Sequence, residues 1–238
     1  MITYLFHSGY AVETKDHFLL FDYYRPWKKQ GSLSDGVISG EYLKTKSNVY
    51  VFASHVHPDH FDPVILEWAK DNPEITYILS DDISTKNQTL KSRFMSPYET
   101  YSEKGISIKT FGSSDAGLSF YVQADGLRIF HAGDLNWWHW KGETKAEQNY
   151  AEALFKAEVD KIKGHPIDIA FFPVDPRLEE FYAVGAEYFA EQLKPKLLLP
   201  MHFGSTFAAS KEFAAKVKDA SFATVEIRHT GQEVSFGL

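Results

Sequence analysis

The 238-residue sequence contains no cysteine. Disulfides, thiol nucleophiles, iron–sulfur clusters and thiolate zinc sites are thereby excluded, and any metal must be held by His, Asp and Glu. Long apolar runs are lacking as well. None approaches the ~20 residues that span a bilayer, and MITYLFHSGY has neither the basic start nor the long apolar stretch of a signal peptide. No membrane association and a cytoplasmic location are expected. Positive charge is in deficit: 25 Lys and Arg against 32 Asp and Glu give −7, which argues against nucleic acid as a partner held by general attraction. There is no GxSxG elbow and no Walker loop, so acyl-enzyme and nucleoside-triphosphate mechanisms lose their usual support. Repeats, low-complexity tracts and linkers are also missing, and one domain over residues 1–238 is the economical reading.

What remains is ordinary globular composition, 44% hydrophobic and 24% charged. The apolar runs ITYLF, YAVET and FLLFD follow one another too closely for anything but an antiparallel meander. A polar stretch from about Arg25 to Ser47 has no sustained period and reads as a lid or insertion over the site. VYVFA and EITYILS read as strands, with a helix beginning at Pro63 between them. ISIKTF, LSFYVQAD and LRIFHAG predict further antiparallel strands. A helix follows from Thr144 to Lys163, announced by the capping-box spacing of Thr144 and Glu147. The chain then alternates: strand IDIAFFPV, a helix near Ala183–Leu193, strand KLLLP, a helix near Ser210–Asp219, and short strands ATVEIRH and EVSF.

The strongest chemical signal is SHVHPDHFD, which puts His55, His57, Asp59 and His60 in six residues at the end of a predicted strand. Alternate residues leaving a strand point the same way, so His55 and His57 can share one cation while Asp59 and His60 reach a second point beyond the turn. A polar turn capping the next helix is the plainer alternative.

In this motif the sequence resembles the metallo-β-lactamase superfamily, whose members carry His-x-His-x-Asp-His after a strand of an αββα sandwich. FLLFD ending in Asp22, FHAGDLN with Asp134 and LLLPMHFG with His202 extend the resemblance in the same order along the chain. HSGYAVET, HAGD and KPKLLLPMHF look most like the branch that contains ascorbate-6-phosphate lactonase. The resemblance implies an α/β fold of that sandwich type and one or two divalent metal ions, zinc first, with manganese or iron also acceptable. It implies that His55 and His57 bind one ion, that Asp59, His60 and His202 bind the other, and that Asp134 bridges them. Asp22 and His131 are implied as supporting residues behind the ligands. One ligand departs from the family pattern: where a further histidine is expected, FGSSDAG supplies Gly112 and Ser113. Asp115 is the nearest side chain able to replace it, a turn role being the alternative, and a single-ion site remains open.

Directly after Asp134 stand Trp137, Trp138, His139 and Trp140. Such a cluster can wall a substrate pocket, with Trp137 against the substrate and His139 as proton donor to the leaving group; core packing is the alternative. Arg177, in PVDPR, could clamp an anionic substrate or simply form a surface ion pair. His7 and Ser8 either border the site or only turn the chain. The expected function is therefore metal-dependent hydrolysis of a small ester, lactone or phosphodiester by an activated water, with Asp59 orienting that water. A nucleotide or nucleic-acid phosphodiesterase and a non-catalytic metal- or ligand-binding module are the rivals, and a homo-oligomer is compatible with the sequence.

Overall fold

Closely spaced apolar runs can pair only with their neighbours. Accordingly β1 (Ile2–Phe6), β2 (Gly9–Glu13) and β3 (Phe18–Phe21) form an antiparallel meander, Ile2 opposite Val12 and Tyr10 opposite Phe21. The computed structural model describes residues 1–25, 30–85 and 90–237. They fall into two compact units, Met1–Ser96 with His229–Leu238, and Pro97–Arg228.

In the first unit β4 (Val49–Ala53), β5 (Thr76–Ser80) and β6 (Ser92–Met95) continue the sheet beyond β3, all in parallel. Every residue of β4 and β5 is buried, as continuous apolar runs in a parallel sheet require. The far C-terminal pair β13 (Glu233–Val234) closes the other edge against β1, giving seven strands. The connections include two short helices, α1 (Gly40–Leu43) and α2 (Val64–Glu67). Of the segment expected as a lid, residues 26–29 lie outside the described residues; the rest is partly core. Val37, Ile38 and Leu43 are buried, and the Ile38 N–H donates to the Tyr23 hydroxyl at 3.2 Å.

The second unit repeats the plan. β7 (Thr100–Glu103), β8 (Ile106–Phe111), β9 (Ser119–Ala124) and β10 (Leu127–His131) form a meander, and β11 (Ile169–Pro173) and β12 (Leu197–Met201) add in parallel beside β10. Its helices are α3 (Lys145–Ile162), α4 (Val184–Leu193) and α5 (Phe207–Lys216). The capping box at α3 forms as predicted: Thr144 Oγ1 accepts from the Glu147 N–H and Glu147 Oε2 from the Thr144 N–H. Phe155, Val159 and Ile162 turn inward from this helix together with Glu158. Both sheets are mixed, so the expected α/β class is the observed one.

Two expectations are corrected. ATVEIRH forms no strand and contributes only a bridge from Ala223 to Leu197. The last helix starts at Phe207, earlier than its apolar pattern suggested. β6 and β7 arise from sequences too polar and too exposed to signal strands by alternation. Among the described residues no helix is long and apolar enough to cross a membrane.

Candidate metal centre

Each unit delivers its chemistry-bearing residues at strand ends. In the first, β3 and β4 run parallel, so Asp22 and Ser54 leave neighbouring strands side by side. Asp22 is buried and takes a positive φ of 40°, a conformation open to Asp at modest cost. Its Oδ1 accepts from the Ser54 N–H at 2.8 Å and its Oδ2 from the Ser54 hydroxyl at 2.7 Å. The same Oδ2 lies 2.7 Å from Nδ1 of His60. A carboxylate only accepts, which places the proton of His60 on Nδ1 and a lone pair on Nε2.

The Ser54 hydroxyl has a single proton, given to Asp22. It must therefore accept at its 3.0 Å contact with Nδ1 of His55, leaving that ring's Nε2 also with a lone pair. Nε2 of His55 lies 3.0 Å from Nδ1 of His57. Asp22 and Ser54 thus orient two rings of the His-x-His-x-Asp-His segment. His7, which turns β1 into β2 with φ 54°, directs Nε2 to within 3.3 Å of Asp59 Oδ2. His7, Asp59 and His60 offer ligand atoms within 4.8 Å of one another. The hydrogen bond from His7 holds the Asp59 carboxyl well below its ordinary range, against the opposing effect of burial.

In the second unit β10 and β12 flank β11, and their ends carry the remaining ligand candidates. His202 follows β12 at φ 67°. Its Nδ1 lies 3.0 Å from Asp175 Oδ2, a residue that follows β11, and its Nε2 lies 3.1 Å from Asp134 Oδ1. With its Nδ1 proton committed to Asp175, the ring in its neutral form would set a lone pair against a carboxylate oxygen, an arrangement that a shared cation would relieve. Burial would raise Asp175, but hydrogen bonds from His202 and Arg177 bring it down to about 2.

Asp134 comes after β10 through Ala132 and Gly133, and its carbonyl accepts from Trp138 Nε1–H at 3.0 Å. The Ser114 hydroxyl donates to the Asn136 carbonyl at 2.6 Å, tying the 112–117 loop to the Asp134 loop. Asp115, exposed, consequently offers a carboxylate oxygen within 4.8 Å of one from Asp134. At the place of the missing histidine, the Gly112 N–H donates to the buried Glu158 at 2.6 Å. A Cβ at Gly112 would stand 3.0 Å from that carboxylate, a tight contact. Each unit's set, imidazole nitrogens oriented by buried carboxylates together with further carboxylate oxygens, suits a borderline divalent cation.

A cleft of about 620 Å³ opens in the second unit beside Asp115, Asp134 and His202, with Trp138, Trp140 and Arg177 in its lining. Its aromatic wall differs from the expected one. Trp137 and His139 are not among the lining residues: Trp137 packs on Phe155 and Tyr188 beneath Lys156, and His139 lies 4.2 Å from the Phe181 ring. Alternate residues of the segment face opposite ways, leaving Trp138 and Trp140 stacked at 5.9 Å. Gly185 of α4 leaves the room that Asn136 occupies, since a Cβ there would strike Asn136 Oδ1. Arg177 lies at the cleft, but its Nε donates to both oxygens of Asp175, at 3.0 and 2.9 Å. His131 is fully buried and accepts from the Gly133 N–H at 3.2 Å.

Sequence reasoning missed Asp175 as the partner of His202 and left His7 undecided. Asp175 gave no signal beyond a polar residue after a buried strand. His7 shared its pattern with an ordinary turn, and only pairing across β1, β2 and β3 shows what it faces.

Known proteins corroborate the fold. A metal-dependent hydrolase of Opitutus terrae is 25% identical over 222 residues, covering 86% of this chain and 85% of the relative. One from Staphylococcus aureus is 24% identical, covering 82% and 85%. The metallo hydrolase Igni18 from Ignicoccus hospitalis matches with a TM-score of 0.71 at 21% identity, over 100% of this chain and 98% of that one. A possible metal-dependent hydrolase from Veillonella parvula reaches 0.64 at 12% identity, over 97% of each. The model of the beta-lactamase superfamily domain matches residues 1–202. The chain belongs to that family, the metallo-β-lactamase superfamily, and has its α/β fold.

Proposed function

We propose that this chain is a metal-dependent hydrolase of a small ester, lactone or phosphodiester, using one or two divalent cations held by His55, His57, Asp59, His60, Asp134 and His202, with Asp115 in place of the family's further histidine. The observation that carries this reading is the Asp175–His202–Asp134 arrangement, in which a histidine with one nitrogen committed to a buried carboxylate turns the other toward a second carboxylate at 3.1 Å. Family membership and the hydrolase names of the relatives support it.

Divalent cations, when bound, supply Lewis acidity and lower the pKa of water enough for attack near neutral pH. The protein's part is to position and to fix charge. Asp59, kept ionised by His7, accepts a hydrogen bond from the attacking water and aims it. Asp22 and Asp175 fix the tautomers of His60 and His202. No side chain of the Trp137–Trp140 segment supplies the leaving-group proton in this reading, since His139 packs on Phe181; water does.

Metal content per chain, measured by mass spectrometry on untagged protein purified without chelator and dialysed against zinc, manganese or iron, tests the proposal. One or two tightly held equivalents, with hydrolysis that a chelator removes, are expected. A folded protein that holds none would mark a non-catalytic module instead.

A further inference from the structure

Helix α3 presents two apolar faces. Phe155, Val159 and Ile162 enter the core, whereas Tyr150 and Leu154, one turn apart, are 70% and 37% exposed and line the cleft. Ala146 and Ala151 complete this second stripe. Solvent-facing positions of a helix favour charged residues, and lone exposed apolar side chains need no explanation. A stripe that meets stacked Trp138 and Trp140 in one concave lining is different: it is an apolar surface aimed at a ligand.

Charge narrows the ligand. The lining carries four carboxylates, of Asp115, Asp134, Glu143 and Glu147, and one guanidinium, that of Arg177. Arg177 is already turned onto Asp175. One divalent cation held by Asp134 and Asp115 would offset those two charges and leave Glu143 and Glu147, near the start of α3, uncompensated. A remote anionic group on the substrate would meet net negative potential there, and a polyanion would meet more.

We infer that the cleft receives an uncharged aromatic or branched apolar group of the substrate, so that the hydrolase prefers neutral aryl-bearing esters or lactones over substrates with a remote anion and over nucleic acid. This rests on the hydrolase reading above. Arg177, besides pairing with Asp175, packs its guanidinium carbon 5.7 Å from the Trp140 ring centre.

The test keeps the scissile bond constant and varies the remote group. For the metal-loaded enzyme, kcat/KM is measured by acid release on the methyl esters of 3-phenylpropionic and acetic acid and on the monomethyl ester of glutaric acid. Binding of 3-phenylpropionamide and of the anion glutaramate is measured by calorimetry. The phenyl ester is expected to exceed the acetate by about tenfold or more, as burial of a phenyl group implies, with the glutarate half-ester lowest. Leu154→Ser and Tyr150→Ser, at exposed positions that leave the core intact, should weaken the amide and the phenyl ester selectively, and Trp140→Ala should do so more strongly. Equal rates on all three esters, tighter binding of glutaramate, or variants without selective effect would overturn the inference while leaving hydrolysis established. Amide binding that is sensitive to the variants, with no ester cleaved, would uphold the cleft's preference and sink the hydrolase reading instead.

Discussion

The carboxylate of Asp175 lies 3.0 Å from Nδ1 of His202, and the far nitrogen of that ring faces Asp134. Asp22 stands in the same relation to His60 at 2.7 Å. Buried carboxylates behind ligating imidazoles raise ligand basicity and fix ring orientation, and their loss ordinarily lowers metal affinity about 10–100-fold.

Asp175→Asn should therefore weaken metal binding by about that factor without unfolding the protein. Competition with a chelator of known affinity measures it. An unchanged affinity would reduce Asp175 to a partner of Arg177.

Asp22 has a larger structural share. Its two oxygens satisfy a backbone N–H, a hydroxyl and an imidazole, all within the core of the first unit. Asp22→Ala leaves these groups without their acceptor and should cost about 3 kcal/mol or more. Urea unfolding of the metal-free protein reads this directly, apart from any metal effect.

Asp115 is separable from both. It is exposed, and the Asp115 N–H donates to the Ser113 hydroxyl at 3.2 Å. Asp115→Ala should leave stability within about 0.5 kcal/mol and remove one metal equivalent where two are bound. Unchanged stoichiometry would make it a turn residue.

Thr144→Ala breaks the capping box at the start of α3. A loss of about 1 kcal/mol is expected, which in a chain of this size lowers Tm by about 2–4 °C. Scanning calorimetry on wild type and variant decides it.

Asp168 gives the protein part of its acid sensitivity. The Arg128 guanidinium, with the Arg128 N–H and Lys196, surrounds this buried carboxylate and holds it well below 3.8, although burial opposes the shift. A carboxyl depressed in the folded state contributes stability that is fully present above its unfolded pKa and is lost as pH falls through 3.8 toward the folded value. Between about pH 5 and about pH 3 the wild type should lose stability more steeply than Asp168→Asn. Parallel slopes in urea midpoints would contradict this.

Much of this was legible in the chain. The apolar runs from Ile2 to Phe21 could form only a meander, VYVFA and IDIAFFPV could be only buried strands, and Thr144 with Glu147 announced α3. The histidine-rich segment was legible because its residues are neighbours in sequence. Asp175 was not, because a carboxylate 27 residues from His202 acquires its role only when β11 and β12 pair in parallel and bring their ends together. The aromatic segment after Asp134 misled for a related reason. Composition shows that tryptophans stand there, but the loop's path decides that Trp138 and Trp140 line the cleft while Trp137 and His139 pack away.

The sequence by itself determined the local order of this protein: which runs become strands, where α3 begins, which residue types are available to hold a metal once cysteine is absent, and the family to which these belong. The tertiary structure alone decided which nitrogens of His60 and His202 face buried carboxylates, which tryptophans meet the cleft, and that Arg177 pairs with Asp175. The reason is physical. Periodicity and caps are set by interactions a few residues long, whereas hydrogen-bond partners and cleft linings are set by strand pairing between residues far apart in the chain.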